Sequence, residues 1–201
     1  MWRHLRLAGL ACIAALLAGS ATAAEGDAGA AAYARGDYAA ALAAWLPLAE
    51  HGDVAAELRV GQMLRDRQGV RWRDFEGAAA WFRRAAAQGS AEAEYALGRL
   101  HYEGFLVPRN TWEMEAMLRA AAWQGNARAE LTLGVIYEYG LGDIEFDYTA
   151  ALTWYELAAS HGIAELDGKI AKLRSRITEK MTRAQIAEAL RRVQAWDPAL
   201  E

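Results

Sequence analysis

The sequence predicts an all-α protein, a right-handed α/α solenoid of helix-turn-helix repeats that ends in a C-terminal capping helix. Three observations support this prediction. Glycines recur every 36 or 37 residues, each glycine closes an apolar stretch with helical spacing, and the residues around the glycines agree in phase. A period in the thirties with two helices per repeat is typical of a solenoid, in which neighbouring repeats share one continuous core.

Two sets of glycines define the repeat. The first set is expected directly after the second helix of each repeat and comprises Gly52, Gly89, Gly125 and Gly162. The second set lies nine residues further on, inside the next helix, and comprises Gly61, Gly98 and Gly134. A glycine inside a helix costs about 1 kcal/mol relative to alanine. Its repetition at one phase therefore predicts that another helix packs closely against it.

The second helix of each repeat has its own start signal. Fifteen residues before the closing glycines stand good helix N-caps, namely Asp37, Asp74, Asn110 and Asp147. Seven residues before the same glycines stand large apolar side chains, namely Trp45, Phe82, Leu118 and Tyr155. Glycine-containing loops at 67–73, 104–109 and 140–146 are expected to join the two helices of each repeat.

Longer motifs make a family resemblance specific. The segments AEYALGRLHYEG, GVRWRDFEGAAAWFRRAAAQG and AELTLGVIYEYGLGDIEFDYTAALTWYELAASHG resemble Sel1-like repeats, which are relatives of tetratricopeptide repeats. The chain departs from the family pattern in places. Leu64 and His101 stand where the family has Tyr, only Tyr137 keeps it, and Met117 and Leu118 replace a Trp-aromatic pair. The resemblance implies a tetratricopeptide-like α-solenoid with a binding or adaptor role.

The predicted organisation follows from these columns. Residues 25–52 are expected to form a partial N-terminal repeat, with a short helix before Gly36. Three full repeats then occupy 53–89, 90–125 and 126–162. Residues 163–201 are expected to form capping helices, because the Leu-Gly pair is lost there and Thr182 to Gln185 forms a capping box. Ile186, Leu190 and Val193 are the predicted apolar face of the last helix, whose basic surroundings leave open a docking site for an acidic partner.

Residues 1–24 have the pattern of a secretory signal peptide. A basic start precedes an apolar run from Leu7 to Leu17 and then small residues, with cleavage expected after Ala23 or Ala24. The alternative is an uncleaved anchor, but the apolar run is short for a membrane span. The predicted location is therefore the bacterial periplasm, with secretion as the alternative and no stable membrane insertion after cleavage.

Composition excludes several classes of function. The chain has a net charge of −4, and removal of residues 1–24 leaves 20 basic and 26 acidic residues, which argues against non-specific nucleic-acid binding. Cys12 is the only cysteine and lies inside the apolar run, so the mature chain has no thiol for a disulfide, a nucleophile or a metal. No catalytic or nucleotide-binding motif is present, and we expect no catalytic residue, cofactor or metal.

The histidines are predicted to be structural. His51 and His161 occupy one column with Gln88 and Gln124, immediately before the closing glycines. A side chain there can bond the free carbonyls at a helix C-terminus. His101 replaces a packed Tyr and is expected to be partly buried.

A candidate binding groove is predicted from a second column. Glu57, Glu94 and Glu130 lie five residues past each glycine on the first helices, with Arg59 at a neighbouring phase. The first helices line the concave face in tetratricopeptide-like solenoids, so these glutamates could form an acidic stripe that suits a basic or amide-rich peptide. The alternative is an ordinary solvated helix face.

Three tryptophans fall outside the repeat columns and are candidate anchors for a partner. Trp72, Trp112 and Trp123 do not recur in phase. Exposed aromatic side chains are typical anchors in binding sites, whereas buried ones would fill gaps between repeats. Taken together, the sequence predicts a monomeric, non-catalytic adaptor or scaffold for a protein or peptide partner. The alternative is a cell-wall protein that binds peptidoglycan, carbohydrate or β-lactams.

Overall fold

The computed structural model describes residues 26–105 and 110–197. Within these residues the chain forms ten α-helices: α1 (26–34), α2 (Tyr38–Glu50), α3 (Val54–Asp66), α4 (Phe75–Ala87), α5 (Ala91–Glu103), α6 (Thr111–Trp123), α7 (Ala127–Tyr139), α8 (Tyr148–Ser160), α9 (Ala164–Thr178) and α10 (Arg183–Gln194). The most extensive contacts join α3 to α4, α5 to α6 and α7 to α8. The predicted all-α fold of paired helices is confirmed.

The chain divides into two compact units. The N-terminal unit ends at Gln88 and contains α1 to α4, and the C-terminal unit begins at Gly89 and contains α5 to α10. The predicted signal peptide, residues 1–24, lies outside the described residues, as does the part of the second loop at 106–109. None of the described helices is long and apolar enough to cross a membrane.

Side-chain caps start the helices where the sequence predicts them. Asp37, Asp74, Asn110 and Asp147 each accept a hydrogen bond from a backbone N–H in the first turn of their helix. The first helices of the three predicted repeats are capped in the same way by Asp53, Ser90 and Asn126. Each cap satisfies a backbone N–H that the helix itself cannot. The N-cap of α9 is Ile163, which makes no such bond, so the regular pattern stops where the predicted repeats end.

The glycines inside the first helices are packing positions. A Cβ added at Gly61 would lie 2.6 Å from the Phe82 ring. The corresponding distances are 2.7 Å from Gly98 to Leu118 and 2.4 Å from Gly134 to Tyr155. Each glycine of this column therefore receives the large side chain that stands seven residues before the closing glycine. The predicted close approach of two helices is confirmed.

Residues 26–52 contain the same kind of glycine contact between two helices, but the connection between the helices is shorter. A Cβ at Gly29 in α1 would lie 2.4 Å from the Trp45 indole, and that indole donates a hydrogen bond from Nε1 to the Gly26 carbonyl at 3.3 Å. Tyr33 packs against both Tyr38 and Trp45. The N-terminal segment is thus a pair of helices joined by a tight turn at 35–37 in place of a seven-residue loop.

The last helix packs on α8, as expected of a capping helix. Its predicted capping box is present, since Thr182 and Gln185 bond each other's backbone N–H groups. The predicted apolar face is wrong in one position, because Leu190 is 42% exposed. Ala189 is fully buried instead, so the buried stripe runs through Ile186, Ala189 and Val193, three and four residues apart. Leu190 lies at the solvent-exposed edge of this stripe.

A glycine substitution tests the packing contact. Gly134→Ala should lower the free energy of unfolding by about 1–3 kcal/mol, because the new methyl group has no space beside the fully buried Tyr155 ring. Gly168→Ala is the control, since Gly168 lies within α9 with no atom near its Cβ position, and it should raise that free energy by about 0.5–1 kcal/mol. Urea titrations measure both values. Equal effects of the two variants would contradict the packing interpretation.

Candidate partner-binding surfaces

The glutamate column is joined to the end of the second helix in each repeat. Gln88 donates from Nε2 to Glu57 Oε2 at 2.8 Å, and Gln124 donates to Glu94 Oε2 at 2.7 Å. In the third repeat, His161 Nε2 lies 3.0 Å from Glu130 Oε2. The column before the closing glycines and the glutamate column are therefore partners. We call these three pairs the glutamate lock.

The predicted acidic stripe is corrected by this arrangement. Glu57 is fully buried and Glu130 is 2% exposed, while Glu94 is partly buried. Burial raises the pKa of Glu94 and of Glu130, although their bonds to Gln124 and His161 act in the opposite direction. A carboxylate can be buried when a partner satisfies it. The Glu57 and Glu130 carboxylates lie inside the protein, and the partly exposed Glu94 carboxylate accepts a hydrogen bond from Gln124. They offer no continuous acidic surface to a basic peptide.

In the first repeat the lock extends to the preceding helix. Arg84 Nε lies 2.9 Å from Glu57 Oε1, and the same guanidinium donates to the backbone carbonyl of Ala49 at 2.8 Å. Ala49 belongs to the last turn of α2, whose carbonyls have no partner within the helix. Arg84 thus ties α4 to both α3 and α2 within the N-terminal unit.

The histidines divide between two roles. His51 behaves as predicted, since its Nδ1 lies 2.7 Å from the Pro47 carbonyl at the end of α2. His161 instead contacts the buried Glu130 carboxylate, with its Nε2 3.0 Å from Glu130 Oε2. His101 is only 3% exposed, more buried than expected, and its Nε2 lies 3.7 Å from Glu113 Oε2.

The candidate tryptophans differ in exposure, and Trp112 and Trp123 do not form one site. Trp72 is 68% exposed in a loop of the N-terminal unit, and Trp112 is 78% exposed in the C-terminal unit. Trp112 lies in the first turn of α6 and Trp123 is its last residue, so the length of the helix separates them. Trp123 is half-buried, as expected of a residue that fills a gap.

Two of the predicted residues lie at small surface depressions. Trp112 lines a depression of about 140 Å³ together with Thr111, Glu115, Asp143 and Ile144. Arg59 places its guanidinium carbon 6.0 Å from the centre of the Trp45 ring and lines a depression of about 420 Å³. Neither includes a member of the glutamate lock.

A larger cleft lies in the C-terminal unit. Its volume is about 570 Å³, and we call it the C-terminal cleft. It is lined by Arg119, Tyr137, Asp147, Ala150, Thr153, Trp154, Arg192, Ala195, Trp196 and Asp197. The Trp154 and Trp196 rings meet edge to face, with centroids 5.2 Å apart. The two indoles form the apolar part of its wall.

Arg119 also lines this cleft and is held in place by its neighbours. Its guanidinium carbon lies 5.8 Å from the centre of the Trp154 ring, and it donates from Nε to Glu115 at 2.9 Å and from a terminal nitrogen to the Tyr137 hydroxyl at 2.7 Å. Tyr137 also donates to Glu115. Burial, together with this bond, raises the pKa of Tyr137, so the phenol stays protonated at neutral pH. The guanidinium is therefore oriented in advance.

The cleft combines apolar walls with hydrogen-bond donors. A guanidinium carries five N–H donors, and the bonds made by Arg119 and by Arg192, which donates to Glu188 at 3.0 Å, use only part of them. Such a site suits a ligand that offers an apolar group to the indoles and acceptor oxygens to the arginines. The sequence did not predict this cleft, because Trp154 was assigned to the core and Arg192 to the capping helix. The one feature of the sequence that could have pointed to the cleft is Tyr137, which alone among the three repeats keeps the Tyr of the family pattern.

The family model described as "Sel1 repeat" matches residues 54–90, 91–112 and 127–163. The chain is a Sel1-like repeat protein. Proteins with Sel1 repeats are generally scaffolds for protein–protein interaction and are typically non-catalytic. Among the described residues, no group of three or more His, Cys, Asp or Glu side chains could hold a metal ion.

Two solved structures resemble this Sel1-like repeat protein. One is c5321, a protective antigen present in uropathogenic Escherichia coli strains that displays an SLR fold, with 31% identity, a TM-score of 0.69, and coverage of 78% of this chain and 32% of that one. Another is a Sel1 repeat protein from Oxalobacter formigenes, with 30% identity, a TM-score of 0.60, and coverage of 68% of this chain and 55% of that one. The chain thus spans about one third and about half of these two proteins. A search of curated proteins returned no significant match.

The glutamate lock should contribute to stability. Glu57→Ala should lower the free energy of unfolding by about 1–3 kcal/mol, because it removes the buried acceptor shared by Arg84 and Gln88. Glu76→Ala is the control, since Glu76 is exposed in the first turn of α4, and it should cost less than about 0.5 kcal/mol. Chemical denaturation measures both. A similar small loss in the two variants would show that the lock is energetically unimportant.

Another buried carboxylate, that of Glu138, gives the stability of the fold a pH dependence. Glu138 is 3% exposed, accepts from the Tyr155 hydroxyl at 2.8 Å, and accepts two bonds from Arg176 at 2.9 and 2.7 Å. Burial alone would raise its pKa, but the bonds from Arg176 and Tyr155 and the charge of Lys180 bring it below the usual value. Folding therefore favours the ionised form. The resulting stability is present above the ordinary glutamate pKa and is lost as the pH falls through the lowered folded-state pKa.

Glu138→Gln isolates this contribution. The variant should be less stable than the parent at about pH 7, and the difference should narrow at about pH 3, where the parent carboxyl has begun to take up its proton. Denaturant titrations at the two pH values measure the difference. A gap of constant size would mean that the charge of Glu138 does not matter for folding.

Proposed function

We propose that this Sel1-like repeat protein is a non-catalytic adaptor of the bacterial cell envelope that binds a segment of a partner protein in the C-terminal cleft. The observation that carries the proposal is the convergence of two indoles, Trp154 and Trp196, with two arginines, Arg119 and Arg192, around a volume of about 570 Å³. Tryptophan and arginine are the residues most often found as binding anchors. The cleft takes the place of the acidic groove, because Glu57 and Glu130 are buried and Glu94 is bonded to Gln124.

Preorganisation of the site supports binding without catalysis. Arg119 is oriented by Glu115 and Tyr137, and Trp154 is 5% exposed within the core of the C-terminal unit. A partner segment therefore loses its own freedom on binding, whereas these cleft side chains lose little. Scaffolds of this kind recognise a partner by shape and a few anchors, which is the role general to Sel1 repeats.

The proposed setting rests on the first 24 residues. Their basic start, short apolar run and small-residue end are typical of an exported bacterial protein. Export would place the mature chain in the periplasm, or outside the cell, as a monomer whose partners are other envelope proteins. A mature chain without cysteine would depend on packing there, because it can form no disulfide.

A second candidate function is binding of cell-wall glycan or related β-lactam ligands. The observation in its favour is that Asp147 and Asp197 line the same cleft as the two indoles. The faces of sugar rings can stack on indoles, and carboxylates can accept hydrogen bonds from sugar hydroxyls. The peptide remains the first choice, because Asp147 already accepts from two backbone N–H groups of α8.

Two variants in the cleft test the adaptor function. Full-length chain tagged at the C-terminus is cross-linked in its host, and the proteins it captures are compared with those captured by Arg192→Glu and Trp196→Ala. Each variant should reduce recovery of a specific partner by about tenfold or more, since loss of an anchor side chain costs about 1.4 kcal/mol or more. Arg183→Glu is the control, since it changes the same charge at the exposed start of α10, outside the cleft lining.

Pull-down on purified peptidoglycan with the same four proteins distinguishes the second candidate. Binding to wall material that Trp196→Ala abolishes would favour the glycan function and contradict the peptide one. Partner recovery that is equal in all four proteins would contradict a role of the cleft in either function. Thermal unfolding confirms in each case that the variants are folded.

A further inference from the structure

The loop between α3 and α4 carries a concentration of unpaired positive charge. Residues 67–73, which we call the arginine loop, contain Arg67, Arg71 and Arg73, all of them exposed. None of the three forms an ion pair with a described carboxylate. Between them lies Trp72, and the guanidinium carbons of Arg67 and Arg71 lie 5.9 and 5.3 Å from the centre of its ring. Three cations and one exposed indole thus share a short surface segment.

The arginine loop is anchored to the helices beneath it. The backbone N–H of Gln68 donates to the Met63 carbonyl at 2.8 Å, and the Gln68 side chain accepts from the Tyr33 hydroxyl at 3.0 Å. At the other end, the backbone N–H of Asp74 donates to the Leu64 carbonyl at 3.0 Å. These bonds fix both ends of the loop within the N-terminal unit. The arginines are therefore presented from a preformed backbone.

Arg67 occupies a position that the fold itself would give to glycine. It follows α3 in the left-handed conformation, with φ of 60°. The residues that follow α5 and α7 in the same place are Gly104 and Gly140, with φ of 77° and 71°. A left-handed arginine costs about 1 kcal/mol or more relative to the ordinary helical region, whereas glycine has no such cost. The Arg67 guanidinium lies over the Trp72 ring of the same loop.

We propose that the arginine loop binds an acidic segment of a partner protein. Guanidinium groups bind carboxylates through paired hydrogen bonds, and the exposed Trp72 ring supplies an apolar contact beside them. The two acids that flank the loop already have partners, because Asp66 pairs with Arg65 and Asp74 accepts from the backbone N–H of Gly77. The charges within the loop itself are all positive.

The surroundings of Trp72 favour a protein segment over a membrane surface. Among the described residues of the N-terminal unit, Trp72 is the one large apolar side chain that is strongly exposed. Stable membrane association requires a larger inserted apolar face or an anchor in addition to basic residues. The proposal is independent of the C-terminal cleft, since it uses different residues and a ligand of different chemistry.

Binding of a labelled glutamate octapeptide to the full chain tests the proposal directly. Fluorescence anisotropy should show binding that weakens as salt increases, because exposed charges are screened. Arg67→Gly should weaken it about threefold, and the double variant Arg71→Gln with Arg73→Gln about tenfold, as expected for a few exposed ion pairs. The matched control is Arg35→Gln with Arg83→Gln, which removes two exposed arginines outside the loop and should leave binding unchanged.

Arg67→Gly separates recognition from stability. If the arginine is kept for binding, its replacement by glycine should leave Tm unchanged or higher while affinity for the acidic peptide falls. Equal affinity of the parent and both loop variants would overturn the proposal, as would an equal loss in the control. Arginine-dependent binding to phosphatidylglycerol vesicles without binding to the peptide would also overturn it, in favour of a lipid surface. These results do not depend on whether the cleft variants lose their partner.

Discussion

The contact between a helical glycine and one large side chain is the constraint on which each helix pair depends. Gly61, Gly98 and Gly134 leave space for Phe82, Leu118 and Tyr155 respectively, and a single added carbon would overlap each of these side chains. Close packing of this kind fixes both the distance and the register of the two helices. The caps, the loop lengths and the closing glycines are consistent with that register. Gly29 and Trp45 show the same contact with a much shorter connection.

Once the helices are in register, the polar side chains beside the contact meet as well. The glutamate of the first helix faces the residue that ends the second, which is Gln in two repeats and His in the third. A buried carboxylate must find a donor, and this geometry supplies one in every repeat. This pairing changes the sign of the charge that we expect a partner to meet. Glu57 and Glu130 are internal and Glu94 is bonded to Gln124, whereas the exposed charge of the arginine loop is positive.

The C-terminal cleft depends on the departure from regular repetition. The helix after α9 packs against α8, which brings Trp196 against Trp154 and places Arg192 in the same lining as Arg119 and Tyr137. A residue of the terminal helix is free of the repeat pattern, so the capping helix can protect the end of the core and also contribute to a site. The polar residues that cap a solenoid are, in this unit, also those that could recognise a ligand.

The sequence by itself determined the fold class, the start of the second helix in each repeat, the closing turns and the glycine packing positions. These features depend on the chemistry of neighbouring residues or on periodic spacing, and both can be seen in the sequence itself. It also revealed the glutamate column and the column before the closing glycines, but not that they bond to each other. It did not reveal the burial of Glu57 and Glu130, the exposure of Leu190, or the meeting of Trp154 with Trp196. Those were decided by tertiary structure, because burial and pairing depend on which surfaces the packed helices bring together across 20 or more residues of chain.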